Sequence, residues 1–261
     1  MAVTATITIT TLLFFYVART KWHTPLWLVL LGAVPLLTVD ALFVAANLTE
    51  LVHGAWLPLS IGLIAFTVMI TWARGRVIVT AARRQAEGPL PRFVERLRSR
   101  RPPLIRIPGT AVYLNRGSST TPLALRATAE HNRVLHKHVV ILSLDTVPAP
   151  RVPDADRLRI DPLSYTDDGI VHVTVYHGYM ETPKVPQLLR RLDPTQTEGT
   201  ISVAEASYFL SKIELEPGPA PTMAPWRKRM FIAASHLTSD AADYFGLPRD
   251  RTVIMGSRVE V

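Results

Sequence analysis

The chain contains no cysteine, which excludes disulfides, thiol nucleophiles and cysteine-based zinc sites. It also lacks the short motifs of nucleotide and hydrolase chemistry. There is no Walker A run, no G-x-G-x-x-G and no G-x-S-x-G. Charge is scarce before Trp72 and abundant after it. From Leu26 to Leu48 the sequence LWLVLLGAVPLLTVDALFVAANL carries one ionisable side chain, Asp40. Acidic residues are in turn scarce just beyond Trp72, where nine arginines from Arg74 to Arg101 face only Glu87 and Glu95. No basic residue precedes the first apolar block, residues 1–18, so it reads poorly as a signal peptide.

What is present is three apolar blocks, 1–18, 26–48 and 55–73, the last two long enough to cross a bilayer as helices. The start of the first is ambiguous. Residues 3–10 alternate Val/Ile/Ala with Thr like a strand, yet threonine hydroxyls can bond back to helix carbonyls, and a spanning helix is the reading adopted. Arg19 and Lys21 follow the first block and Arg74 onward follows the third, whereas residues 49–54 contain no Lys or Arg. The positive-inside rule then gives one topology: the chain starts outside, turns inside at Arg19, goes out, and returns inside before Arg74. Trp22, Trp27, Trp56 and Trp72 fall at the predicted boundaries, as an interfacial aromatic belt should. The expected organisation is residues 1–76 as three membrane helices, 77–101 as a basic juxtamembrane linker and 102–261 as a cytosolic α/β domain. A chain that starts outside with no preceding signal suits a piece whose earlier helices are missing.

A charge at the bilayer centre costs roughly 2.5–3.5 kcal/mol on the insertion scale. Asp40 therefore points to ion or proton handling; the other reading is a structural carboxylate bonded to a neighbouring helix. Ala33, Asp40 and Asn47 are seven apart and share a helical face, with Phe43 and Val44 beside Asp40, so this small, polar face should turn into a bundle. Pro35 removes a backbone donor and disturbs the carbonyl of Leu31. Exposed carbonyls near an acid resemble the way cation transporters replace water around an ion.

In the linker, Leu90, Phe93, Val94 and Leu97 pattern a short amphipathic helix, either near the inner leaflet or solvated. The basic run has no interleaved aromatic platform, which argues against nucleic acid. Beyond residue 102 the pattern predicts strands at 111–114, 138–147, 157–160, 170–176, 208–215 and 252–261. Helices are predicted from a Thr121 N-cap and Pro122 to about Leu135, over 185–192 and over 226–237. The strands at 157–160 and 170–176 alternate as if one face were wetter. Asp167-Asp168 beside Gly169 reads as a turn. His131, His136 and His138 do not share a helical face, and His172 and His177 lie along one strand and its end. Structural or surface roles are expected for all five rather than metal binding, with no other cofactor. Nothing in the pattern indicates an enzyme.

Several stretches together resemble the Kup/HAK/KT family of potassium uptake transporters. They are Val39-Asp40 through Asn47-Leu48 with His53-Gly54-Ala55-Trp56-Leu57-Pro58-Leu59, then MITWARGR ending at Arg76, and RIPGTAVY from Arg106 to Tyr113. The tail adds His131-Asn132-Arg133-Val134-Leu135-His136, YHGYMETP from Tyr176, Ser207-Tyr208-Phe209-Leu210, Phe245-Gly246-Leu247-Pro248 and the ending Val259-Glu260-Val261. The resemblance covers essentially the whole chain. It implies the last three helices of a twelve-helix LeuT-like transporter followed by a cytosolic domain. It also implies potassium uptake coupled to protons, and a role in ion transport for Asp40. The principal ion-binding helices of the family lie nearer the N-terminus and have no counterpart here, so a truncated or split product, not competent alone, is expected. Its partners would be the lipid bilayer and either the remaining helices or a second copy. The alternative is a membrane-anchored regulatory or dimerising module acting on a partner transporter.

Overall fold

The computed structural model describes residues 2–48, 56–163, 168–192, 197, 202–218, 222–236 and 241–260. The chain divides into two compact units, Met1–Ile70 and Thr71–Val261.

The first unit holds α1 (Ala2–Thr20), α2 (Leu26–Leu48) and the first part of α3 (Trp56–Glu87). All three are long and apolar enough to cross a membrane. The threonine-rich start of α1 is helical. Thr8, Thr10 and Thr11 donate their hydroxyls to the carbonyls of Thr4, Thr6 and Ile7, at 3.0, 2.8 and 3.1 Å. These local bonds satisfy the hydroxyls inside an apolar medium, where alternation alone cannot favour a strand with no partner. The turn expected at 49–54 lies outside the described residues. At 32 residues, α3 is about 48 Å long, well beyond the end of its apolar run.

The second unit is a doubly wound α/β domain. After α4 (Leu90–Ser99) come β1 (Ile105–Asn115), α5 (Leu123–Glu130), β2 (Val134–Val147), β3 (Leu158–Asp161), β4 (Ile170–Gly178), α6 (Val185–Leu189), β5 (Ser207–Glu216), α7 (Pro225–Ser235), α8 (Ala241–Tyr244) and β6 (Thr252–Glu260). The sheet order is β3-β4-β2-β1-β5-β6. Only β3 is antiparallel to its neighbour; the other pairings are parallel. Apart from β3, which folds back outside β4, later strands are added outward from β1 on both sides, the arrangement whose switch point lies beside the first strand. One face packs Val112, Val140, Val173 and Tyr208 under α6 and α8. The other packs Ala111, Tyr113, Val139 and Ile141 under α4 and α5.

Several expectations are corrected. The apolar face of α4 (Leu90, Phe93, Val94) is buried in this second core, so α4 neither lies on a membrane nor stands free in solvent. The helix expected to reach Leu135 ends at Glu130, because Arg133 turns with φ 57° and Leu135 already pairs in β2. Thr121 is not its cap: Pro122 holds that place, and the Thr121 hydroxyl is buried without a hydrogen-bond partner. β4 has no wet face, since it sits between β3 and β2 and is buried along nearly its whole length. Asp167 lies outside the described residues. Its neighbour Asp168 accepts from the Ile170 amide at 2.9 Å beside Gly169 at φ 69°, a turn as expected.

Candidate functional site

Asp40 follows Pro35 by little more than one turn, within a helix that runs unbroken through the proline. Pro35 has no N–H to give to the Leu31 carbonyl, and Thr38 donates to Val34 O at 2.7 Å. The covered positions of α2 form one stripe: Val29, Gly32, Ala33, Leu37, Asp40, Val44 and Asn47. This spacing of three and four is one helix face. It unites Ala33, Asp40, Val44 and Asn47 as the sequence suggests. Phe43 does not join them; it is 59% exposed, as a lipid-facing ring would be.

α1 covers the stripe. Its own covered positions are Thr4, Thr8, Thr11, Phe15 and Ala18. The Phe15 ring lies 3.2 Å from where a Cβ on Gly32 would stand, so glycine permits the two helices to approach closely. The helices run antiparallel. Eight residues on from Gly32 is Asp40, and eight back from Phe15 is Ile7, so Asp40 is level with Ile7 and Thr8. The hydroxyls of Thr8 and Thr11 give their hydrogens to their own helix. They therefore present oxygen lone pairs, not donors, on the face turned to α2. Asp40 Oδ2 is shielded from solvent and has no hydrogen-bond partner. A shielded, unpartnered carboxylate oxygen on a helix face opposite threonines suits a proton or a hard cation and nothing apolar. The sequence hid this threonine face because its spacing of four and three is overlaid by strand-like alternation.

Among the described residues the second unit offers no comparable chemistry. In doubly wound sheets ligands enter at the switch point, beyond the strand ends. Here the loop after β1 is closed by the chain itself. Asn115 Nδ2 donates to Gly117 O (2.7 Å) and Thr120 O (2.6 Å). The corner between α3 and α4 binds across it, through Leu90 N to Ser119 O and Thr121 N to Gly88 O, both at 3.0 Å.

Among the five histidines singled out by the sequence, His172 and His177 bridge β4 to β2, 2.9 Å from Ser143 Oγ and 3.0 Å from Thr146 Oγ1. Burial lowers the pKa of both, with Asp145 partly opposing. The Ser143 hydrogen goes to Gly117 O, so His172 donates and the pair is a buried brace, not a nucleophile with its base. His136 lies against the Phe209 ring. Among the described residues no group of three His, Cys, Asp or Glu could hold a metal. Glu181, in the YHGYMETP stretch, accepts from Gly178 N (2.8 Å), Val152 N (3.1 Å) and Arg157 Nη2 (2.7 Å). These bonds, led by the Gly178 amide, pull its pKa down to about 2.

Comparison with known proteins agrees with the resemblance. Residues 1–77 match the K+ potassium transporter integral membrane domain, and residues 108–261 the K+ potassium transporter C-terminal domain. The whole chain is 68% identical to a probable potassium transport system protein Kup from Rhodococcus jostii, covering 40% of that protein. It is 38% identical to a probable potassium transport system protein Kup 1 from Paramagnetospirillum magneticum, again over the whole chain and 40% of the relative. The chain thus spans about 40% of the length of these relatives. No solved structure matches. With both of its units matched in order and its full length aligned to Kup proteins, the chain belongs to the Kup/HAK/KT family of potassium transporters.

Proposed function

We propose that this chain forms the C-terminal part of a potassium uptake system of the cell membrane, with Asp40 as its ion-coupling carboxylate and its α/β domain in the cytoplasm. The observation that carries this reading is the shielded, unpartnered Asp40 Oδ2 on the face where α2 meets the threonines of α1. A carboxylate kept there without a cationic partner costs several kcal/mol unless it binds a cation or a proton. Proton coupling follows from the same feature: a carboxyl group that can alternate between proton and cation couples the two. The cytoplasmic placing of the tail rests on Arg19, Lys21 and the arginines from Arg74, under the positive-inside rule.

One carboxylate and two hydroxyls are too few oxygens to replace the water around potassium. The remaining ligands come from further membrane helices, and the polypeptide is not competent alone. The test is growth at limiting potassium of cells lacking their own uptake systems, expressing this chain alone, with a segment supplying the other helices, or with that segment and Asp40→Asn. Rescue by the pair, lost with Asp40→Asn while both proteins remain in the membrane, is expected. Rescue by the chain alone, or by the Asn variant as well as by the original, would overturn the reading.

A second reading, self-association of the tail as a regulatory module, is favoured by one observation. β6 closes the sheet as a nine-residue edge strand whose outer side pairs with nothing among the described residues, and such an edge is a template for a second copy.

A further inference from the structure

We propose that α7 and the arginines around the exit of α3 form a surface that binds the anionic headgroups of the inner leaflet, docking the α/β domain against the membrane. This rests on the reading of α3 as a spanning helix that ends on the cytoplasmic side.

About 20 residues of helix cross the hydrocarbon, so a span that begins at Trp56 ends near Gly75, and Arg74 is its first charge. α7 is packed against that exit. Arg227 Nε donates to Thr71 Oγ1 at 2.9 Å, and the ring centroids of Phe231 and Trp72 are 5.3 Å apart. The Phe231 ring occupies the space a Cβ on Gly75 would need. These contacts advance together along both helices, Arg227 at Thr71 and Phe231 at Gly75. α7 therefore runs beside α3 in the same direction, with its Trp226 end nearest the hydrocarbon.

The inward side of α7 is fully committed: Phe231 to α3, and Lys228 Nζ to Gly218 O at 2.7 Å. The outward side presents Trp226, 56% exposed, with Arg229 and Ala233 on the same face. An exposed indole followed three residues later by a guanidinium is the composition of an interfacial anchor. Arg74 and Arg76, one step either side of Gly75, are exposed and flank the contact. Arg76 and Arg83 also crowd Arg116 on the loop after β1; burial, then these two like charges, lower the Arg116 pKa. Arg83 pairs with Glu87, and the remaining arginines leave a surplus of positive charge where the apolar surface of α3 stops. An anionic leaflet is already adjacent there, and each basic residue near such a surface adds to the attraction.

The absence of cysteine makes the test direct. The full chain carrying Ala233→Cys, labelled with an environment-sensitive fluorophore, is reconstituted in nanodiscs of phosphatidylcholine alone and of phosphatidylcholine mixed with phosphatidylglycerol. A second sample carries the label at Arg159→Cys on β3, at the far edge of the sheet. The expected result is a blue shift at position 233 in the anionic discs only, reversed by high salt and reduced by Trp226→Ala with Arg229→Gln, with no shift at position 159. Trp226 and Arg229 are exposed, so their replacement leaves the core intact. No shift at 233, an equal shift in neutral discs, or a matching shift at 159 would each overturn the proposal. Since the readout needs no transport, an uptake failure and a docking failure are separately visible.

Discussion

Glu181 fixes two loops through a carboxylate that must stay ionised to accept three hydrogen bonds at once. Its pKa falls from 4.5 to about 2, so its contribution is present above pH 4.5 and lost as pH falls towards 2. Glu181→Gln should lower the melting temperature at neutral pH and flatten the acid limb between these values; thermal melts across that range check it. His172 acts in a different window. Its pKa is lowered from 6.5 by burial, so the native state resists its protonation and stability declines as pH drops below 6.5. His172→Gln should reduce that earlier decline, which His177 shares, while leaving the Glu181 limb in place, and an undiminished decline would contradict the assignment. Gly178 shows why the first of these loops demands its residue: Pro150 O stands where a side chain would begin.

At the scale of elements, the decisive contact is between α7 and α3. Phe231 is 4% exposed and wedges beside Trp72 against the Gly75 backbone. Phe231→Ala should cost about 3–5 kcal/mol by the usual cost of emptying an aromatic site. Gly75→Leu should force the ring out altogether. Both should raise amide hydrogen exchange in α7 while β1 and β2 keep their protection; unchanged α7 protection in either variant would show that the contact is not what holds the helix. α7 itself was readable from its sequence, over 226–237 against an observed Pro225–Ser235, but its docking partner was not. A glycine in an arginine-rich helix end carries no signal of the ring it must admit. The strands were legible because buried apolar runs bounded by turns admit few other structures, although their ends shifted. β1 starts at Ile105, six residues before its apolar run, because a register shift between Ile107 and Thr110 accommodates Pro108-Gly109. α4 was legible as amphipathic, yet the pattern cannot tell a leaflet from a protein core; only the fold supplies the sheet that buries Leu90, Phe93 and Val94. For Asp40, most of the helix face expected from the sequence is the covered face of α2. The opposing threonines became visible only with the register that Gly32 and Phe15 set.

For the whole molecule, the free edge of β6 yields a prediction about assembly. Val253 and Ile254 are 44% and 46% exposed on that strand, and lysine on an edge strand opposes pairing. If two copies join there, the double change Val253→Lys with Ile254→Lys should halve the mass seen by light scattering of the detergent-solubilised chain. A mass unchanged by the double change would place any self-association elsewhere. The outward order of the sheet also bears on how the protein is made. β1 leaves the ribosome before either of its neighbours, and the two sides of it are completed at different times. β2 follows almost at once, whereas β5 begins only at Ser207 and β6 ends the described chain. Throughout the synthesis of the intervening stretch, the bare side of Ala111, Val112 and Tyr113 is a sticky seam held close to the membrane by α3. Messages broken or ribosomes stalled before Ser207 should therefore yield membrane-tethered products that cling to one another along that seam.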